Sequence, residues 1–169
     1  MFESERGEAN MGLWSGKPEP GTWGTGNLGS GSLKKLMTPL PDLMSLAASE
    51  ARIIMSLRVV VMSQKCYRDS RPYLQDRLGD EFAANRFLIM VEAIGEAWPE
   101  SVKIARACCP HTMPDEMLLL NMLCYVRQEC RPGFDALICE MIAPCGRDRI
   151  YTDMRNFVTT YKAWSTESR

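Results

Sequence analysis

Residues 112–133 read TMPDEMLLLNMLCYVRQECRPG, and this stretch decides the fold class. A threonine side chain can cap a helix, proline is tolerated in a first turn, and Asp115 is spaced to reach back in a capping box over Thr112. Met117, Leu120, Met122, Leu123 and Val126 then recur at the steps of one apolar helical face. Arg131-Pro132-Gly133 reads as the stop.

The same grammar extends in both directions. Upstream, Asp80 and Glu81 suit a helix N-terminus, Phe82, Phe87, Met90, Val91 and Ile94 supply an apolar face, and Trp98-Pro99 closes it. A short helix is expected over Arg71–Leu78, capped by Ser70 and stopped by Gly79. Before it, Leu43, Leu46, Ala47, Ile54, Leu57 and Val61 mark a helix from about Asp42 to Cys66. Downstream, one helix is expected over Phe134–Ala143, closed by Pro144-Cys145-Gly146. A last one carries Ile150, Met154, Phe157, Val158 and Tyr161. Val102–Ala107 stays open between a helical turn and an extended segment. Sustained β-alternation is missing and the Pro/Gly connections are short. The expectation is all-α: a compact antiparallel bundle of about five helices over residues 39–165, behind a disordered Gly-rich N-terminal tail over residues 1–38.

Composition narrows the function classes. The 169 residues are 46% hydrophobic, so one domain can bury a core of its own. Twenty basic and 21 acidic residues give a net charge of −1, which argues against a strongly electropositive nucleic-acid surface. The longest apolar run, Ile53–Met62, is short and carries Arg58, so no membrane span is expected. Seven cysteines, an odd number, follow a start without an apolar signal region. They are expected to be reduced thiols of a cytoplasmic protein.

The tail holds eight of the twelve glycines within residues 1–36. Such composition leaves little apolar surface to offset ordering entropy. Trp14, two residues from Gly12 and Gly16, and Trp23, next to Gly24, are candidate anchors for a protein partner; the alternative is a linker whose tryptophans dock loosely or not at all. Gly24-Thr25-Gly26-Asn27-Leu28-Gly29 matches a dinucleotide-binding fingerprint literally. No strand precedes it and no helix opens after it, so no cofactor is expected there.

Cys108, Cys109 and His111 lie just before a helix N-terminus, where exposed amides favour anions. Thiolate and imidazole are preferred ligands of zinc or iron, and Cys66 or Cys145 could complete such a set. The spacing lacks the paired C-x2–4-C of structural zinc sites, and one core cysteine beside one capping cysteine explains the residues more simply. Cys109 beside His111 also meets the crude requirement for a thiolate nucleophile, without an evident orienting group. Cys124, Cys130 and Cys139 read as small core hydrophobes. Asp80-Glu81 and Asp115-Glu116 are explained by their first-turn positions, and one histidine is too few for a di-iron bundle. A helix-turn-helix over Asp115–Ala143 would present an acidic, apolar second helix; Arg147, Arg149, Arg155, Asn156 and Lys162 suit a wet helical face better.

Several of these residues carry a resemblance. Pro41-Asp42 ahead of an Arg-and-aliphatic helix, Ala83-Ala84-Asn85-Arg86-Phe87, Cys108-Cys109-Pro110, Pro114-Asp115-Glu116 and Leu118-Leu119-Leu120 together resemble an uncharacterised all-helical family of alphaproteobacteria. The resemblance covers roughly residues 40–160. His111 and Thr112 stand where the family pattern often has a basic residue and threonine. It implies a helical fold and a bacterial cytoplasm, and it carries over no catalytic residue. The functional expectation is a non-catalytic helical module that binds a protein partner, with a metal or thiol-redox protein and a helix-turn-helix nucleic-acid binder as alternatives.

Overall fold

A computed structural model describes residues 40–164; Trp14, Trp23 and the glycine fingerprint lie outside the described residues. The described chain is all-α. A 3-10 turn at Leu43–Ser45 leads into six helices: α1 Ala48–Lys65, α2 Arg71–Leu78, α3 Glu81–Ala97, α4 Pro114–Arg127, α5 Arg131–Ile138 and α6 Pro144–Thr160. No strand occurs among the described residues, and Val102–Ala107 belongs to an irregular connection between α3 and α4.

Several helix boundaries differ from the sequence expectation, each for a local reason. The first long helix begins at Ala48 rather than near Asp42. Asp42 stays extended because its backbone forms a β-bridge with His111, and Leu46 is extended again before α1. Asp69, not Ser70, takes the first amide of α2: its Oδ1 accepts Arg71 N–H at 3.0 Å. At α4 the box shifts by one residue. Met113 occupies the N-cap and the Glu116 carboxylate accepts its N–H at 2.8 Å. Thr112 instead donates its hydroxyl to the Pro41 carbonyl at 2.7 Å. Arg131-Pro132 and Pro144 open α5 and α6 rather than closing the helices before them. Proline has no amide to lose in a first turn, so one residue can end a loop and begin a helix.

The core forms chiefly where α3 packs on α6, the most extensive helix pair. Ala83, Ala84 and Ala93 are buried in α3, Ala97 lies against Gly146 of α6, and Phe87 meets Phe157 edge-to-face at 5.3 Å. Phe157 also stacks on Tyr161, whose hydroxyl donates to Ser49 O at 3.3 Å. Phe82 was expected in this core but is 57% exposed, with the Arg86 guanidinium 5.1 Å from its ring centroid. Gly133 admits a close approach between α5 and α4, since a Cβ there would overlap the Tyr125 ring. No helix among the described residues is long and apolar enough to cross a membrane.

Candidate functional site

Arg58 and Glu116 are both fully buried and form a bidentate pair, Nε to Oε1 and Nη2 to Oε2, each at 2.8 Å. The remaining guanidinium protons go to the backbone. Nη1 donates to the carbonyls of Cys109 at 2.6 Å and Arg106 at 3.4 Å, and Nη2 to that of His111 at 2.9 Å. Five N–H groups thus meet five acceptors, which is the full donor capacity of arginine. Glu116 is equally engaged, since it also accepts the amides of Ala105 at 3.1 Å and Met113 at 2.8 Å. Its hydrogen bonding raises the Arg58 pKa above the ordinary guanidinium value against the opposing effect of burial. Beside it, Asp115 accepts Lys103 N–H at 2.7 Å. The connection between α3 and α4 has no regular structure of its own, so these three side chains hold its backbone.

This clamp places the sequence-predicted cysteines. Cys108 is exposed and Cys109 half-buried on the clamped loop, and all seven cysteines are free thiols. His111 shares that loop, but its Nδ1 lies 2.7 Å from Asp42 Oδ1 at the surface. Among the described residues no three His, Cys, Asp or Glu side chains are gathered as a metal would require. Cys124 and Cys139, read as core, are exposed, and Cys130 is half-buried. Cys124 lies on an outer helical face, and Cys130 and Cys139 at helix ends.

The clamped loop runs beside the outer face of α1. Met55 and Val59 are half-buried and Met62 and Cys66 exposed, at successive steps of four, three and four residues along that face. Val59, Met62, Ser63, Cys66, Arg68 and loop residue Ala107 line a groove of about 180 Å³. Between the lining residues Cys66 and Arg68, Tyr67 is 99% exposed and has φ +50°, a left-handed conformation that costs a residue with a Cβ free energy. Neither Arg58 nor Tyr67 stood out as a site residue in the sequence. A signal for Arg58 existed: it lies four residues after Ile54 on the apolar face, where a charge demands a buried partner.

The basic residues of the last helix are largely paired. Arg147 Nε lies 3.9 Å from Asp135, Arg149 meets Glu96 and Asp153, and Lys162, just beyond α6, lies 3.7 Å from Asp80. Comparison with protein-family models, curated proteins and solved structures gives no match.

Proposed function

We propose that this chain is a non-catalytic helical module that binds a protein partner through the groove between the outer face of α1 and the clamped loop. The observation that carries the reading is Tyr67: a large aromatic, almost wholly exposed, held at a strained backbone position between Cys66 and Arg68, two lining residues of a groove that also holds Met62. Tyrosine and arginine dominate interface energetics, and methionine lets an apolar surface adapt to its ligand. Arg68 at the groove suits an acidic residue next to the partner's apolar anchor. In the same reading Trp14 and Trp23 are further anchors, and the seven free thiols support a reducing cytoplasm. The ion pairs of Arg149 on α6 and of Lys162 just beyond it favour a protein partner over nucleic acid. The short α4–α5 and α5–α6 junctions support an antiparallel bundle.

The test is site-specific photocrosslinking in an extract of the source cell. A photoreactive side chain at Met62 should capture one discrete protein that the same group at exposed Gln75 does not, and Tyr67→Ala should abolish that product. Identical products from both positions, or none from Met62, sink the proposal.

A further inference from the structure

A second concavity lies on another face of α1 and plays no part in the partner groove. It is a cleft of about 360 Å³ between α1, α3, the start of α4 and the clamped loop. That volume falls at the lower end of the roughly 300–1,000 Å³ typical of small-molecule sites. Its apolar walls come from Leu57 and Val61 of α1, Val91 and Ile94 of α3, and Leu119 of α4, with Trp98 at the end of α3. Val102 and Ile104 of the loop complete the enclosure. This last wall is preformed, because Asp115 holds Lys103 N–H and Glu116 holds Ala105 N–H on either side of Ile104.

Gly95 supplies an independent observation. It sits inside α3, where glycine disfavours a helix relative to alanine. A Cβ added there would meet nothing within 4 Å, so close packing does not require the glycine. What its missing side chain does is leave the cleft open. The polar residues of the cleft carry both signs, Lys65 on α1 against Glu92 on α3 and Asp115 on α4, together with Gln64 and Ser101. An anion would meet the carboxylates of Glu92 and Asp115, and the pull of these on a cation is offset in part by Lys65, whereas an uncharged hydroxyl or amide finds donors and acceptors on each side without shedding the hydration of a charge.

We propose that this cleft is a binding site for a small, uncharged amphiphile, with its apolar body against Leu57, Ile94 and Trp98 and its polar end among Gln64, Ser101 and Glu92. The site stands or falls independently of the partner groove.

The experiment titrates the full chain with 1-octanol, octanoate and octylammonium at neutral pH, following backbone amide signals by NMR. Octanol should give saturable shifts centred on Val91–Trp98 and Ser101–Ile104 at concentrations below about 1 mM. Octanoate should bind about tenfold more weakly or worse, and octylammonium no more tightly than octanol. Gly95→Leu places a side chain at the opening from a position where the Cβ meets nothing within 4 Å, so it should keep the helical spectrum and weaken octanol binding about tenfold or more. Gly95→Ala, a smaller intrusion, should weaken it less. Shifts scattered over the surface, octanoate binding as tightly as octanol, octylammonium binding more tightly than octanol, or a folded Gly95→Leu variant that binds octanol unchanged would each overturn the proposal.

Discussion

Two arginines organise this molecule, and they do it differently. Arg58 is buried, donates to one carboxylate and three backbone carbonyls, and gathers a loop that has no regular secondary structure. Arg131 sits at the start of α5 with 37% of its side chain exposed. Its partners are Asp135 one turn on, Asp148 on α6, and the faces of Tyr151 and Phe134 at 4.8 and 5.9 Å. Both guanidinium groups are held charged, their pKa values pushed further up by carboxylate hydrogen bonds. The energetic consequence is set by water. Around Arg131 solvent screens the pairs and can replace a lost partner. Around Arg58 nothing can, and removing one group strands every other.

The largest expected effect follows from that asymmetry. Glu116→Ala leaves a buried guanidinium without its counter-charge and two amides without their acceptor, and should lower stability by about 3–5 kcal/mol in urea unfolding. The double variant Arg58→Met with Glu116→Leu sharpens the point. Removing both charges of a buried pair is often nearly neutral. Here the carbonyls of Arg106, Cys109 and His111 also lose their donor. The double variant should therefore remain destabilised by at least about 2 kcal/mol, with fast amide exchange confined to the connection before α4. A double variant as stable as the parent would show that the loop is held by something other than the clamp.

Arg131→Ala should cost only about 1 kcal/mol, the sum expected of partly exposed ion pairs and a surface cation–π contact. Raising the salt to about 1 M should shrink the difference from the parent, because the Debye length then falls to about 3 Å. The loss in Glu116→Ala should persist at the same salt. If both respond to salt alike, burial does not separate the two clusters and the comparison breaks.

The contrast also explains what could be read from the chain. Helix existence was legible because periodicity is local: α3 and α4 follow from Phe87, Met90 and Ile94, and from Leu120, Leu123 and Val126. Local competition moved the boundaries. Proline serves equally as a stop and as a first-turn residue, so Pro132 and Pro144 were assigned to the wrong side of their junctions. The Arg131–Asp135 pair is four residues apart and lies within reach of pattern reading. The clamp is not, because Arg58 and Glu116 are joined only by the fold. Glu116 read as a first-turn charge, which it also is, and its buried partner gives no spacing signal. The loop carrying Cys108, Cys109 and His111 was singled out for its side chains, whereas its backbone carbonyls make the decisive contacts.

The smallest expected effect concerns the ends of the two helices that carry the clamp. α1 and α4 finish alike. Arg68 N–H donates to Ser63 O at 2.8 Å and Tyr67 N–H to Gln64 O at 3.3 Å; Cys130 N–H donates to Tyr125 O at 2.9 Å and Glu129 N–H to Val126 O at 3.1 Å. Both are Schellman closures, whose left-handed residue is usually glycine. Here it is Tyr67 at φ +50° and Glu129 at φ +53°. Glycine removes the left-handed strain of roughly 1–2 kcal/mol, partly offset by its greater freedom in the unfolded chain. Glu129→Gly and Tyr67→Gly should therefore each raise the urea midpoint by an amount equivalent to about 0.5–1 kcal/mol. Their functional outcomes should diverge. Glu129→Gly should leave crosslinking from Met62 intact, whereas Tyr67→Gly should stabilise the fold and lose the crosslink. A Tyr67→Gly variant that is less stable than the parent would make Tyr67 a packing residue, and the strain could no longer be read as the cost of presenting it to a partner.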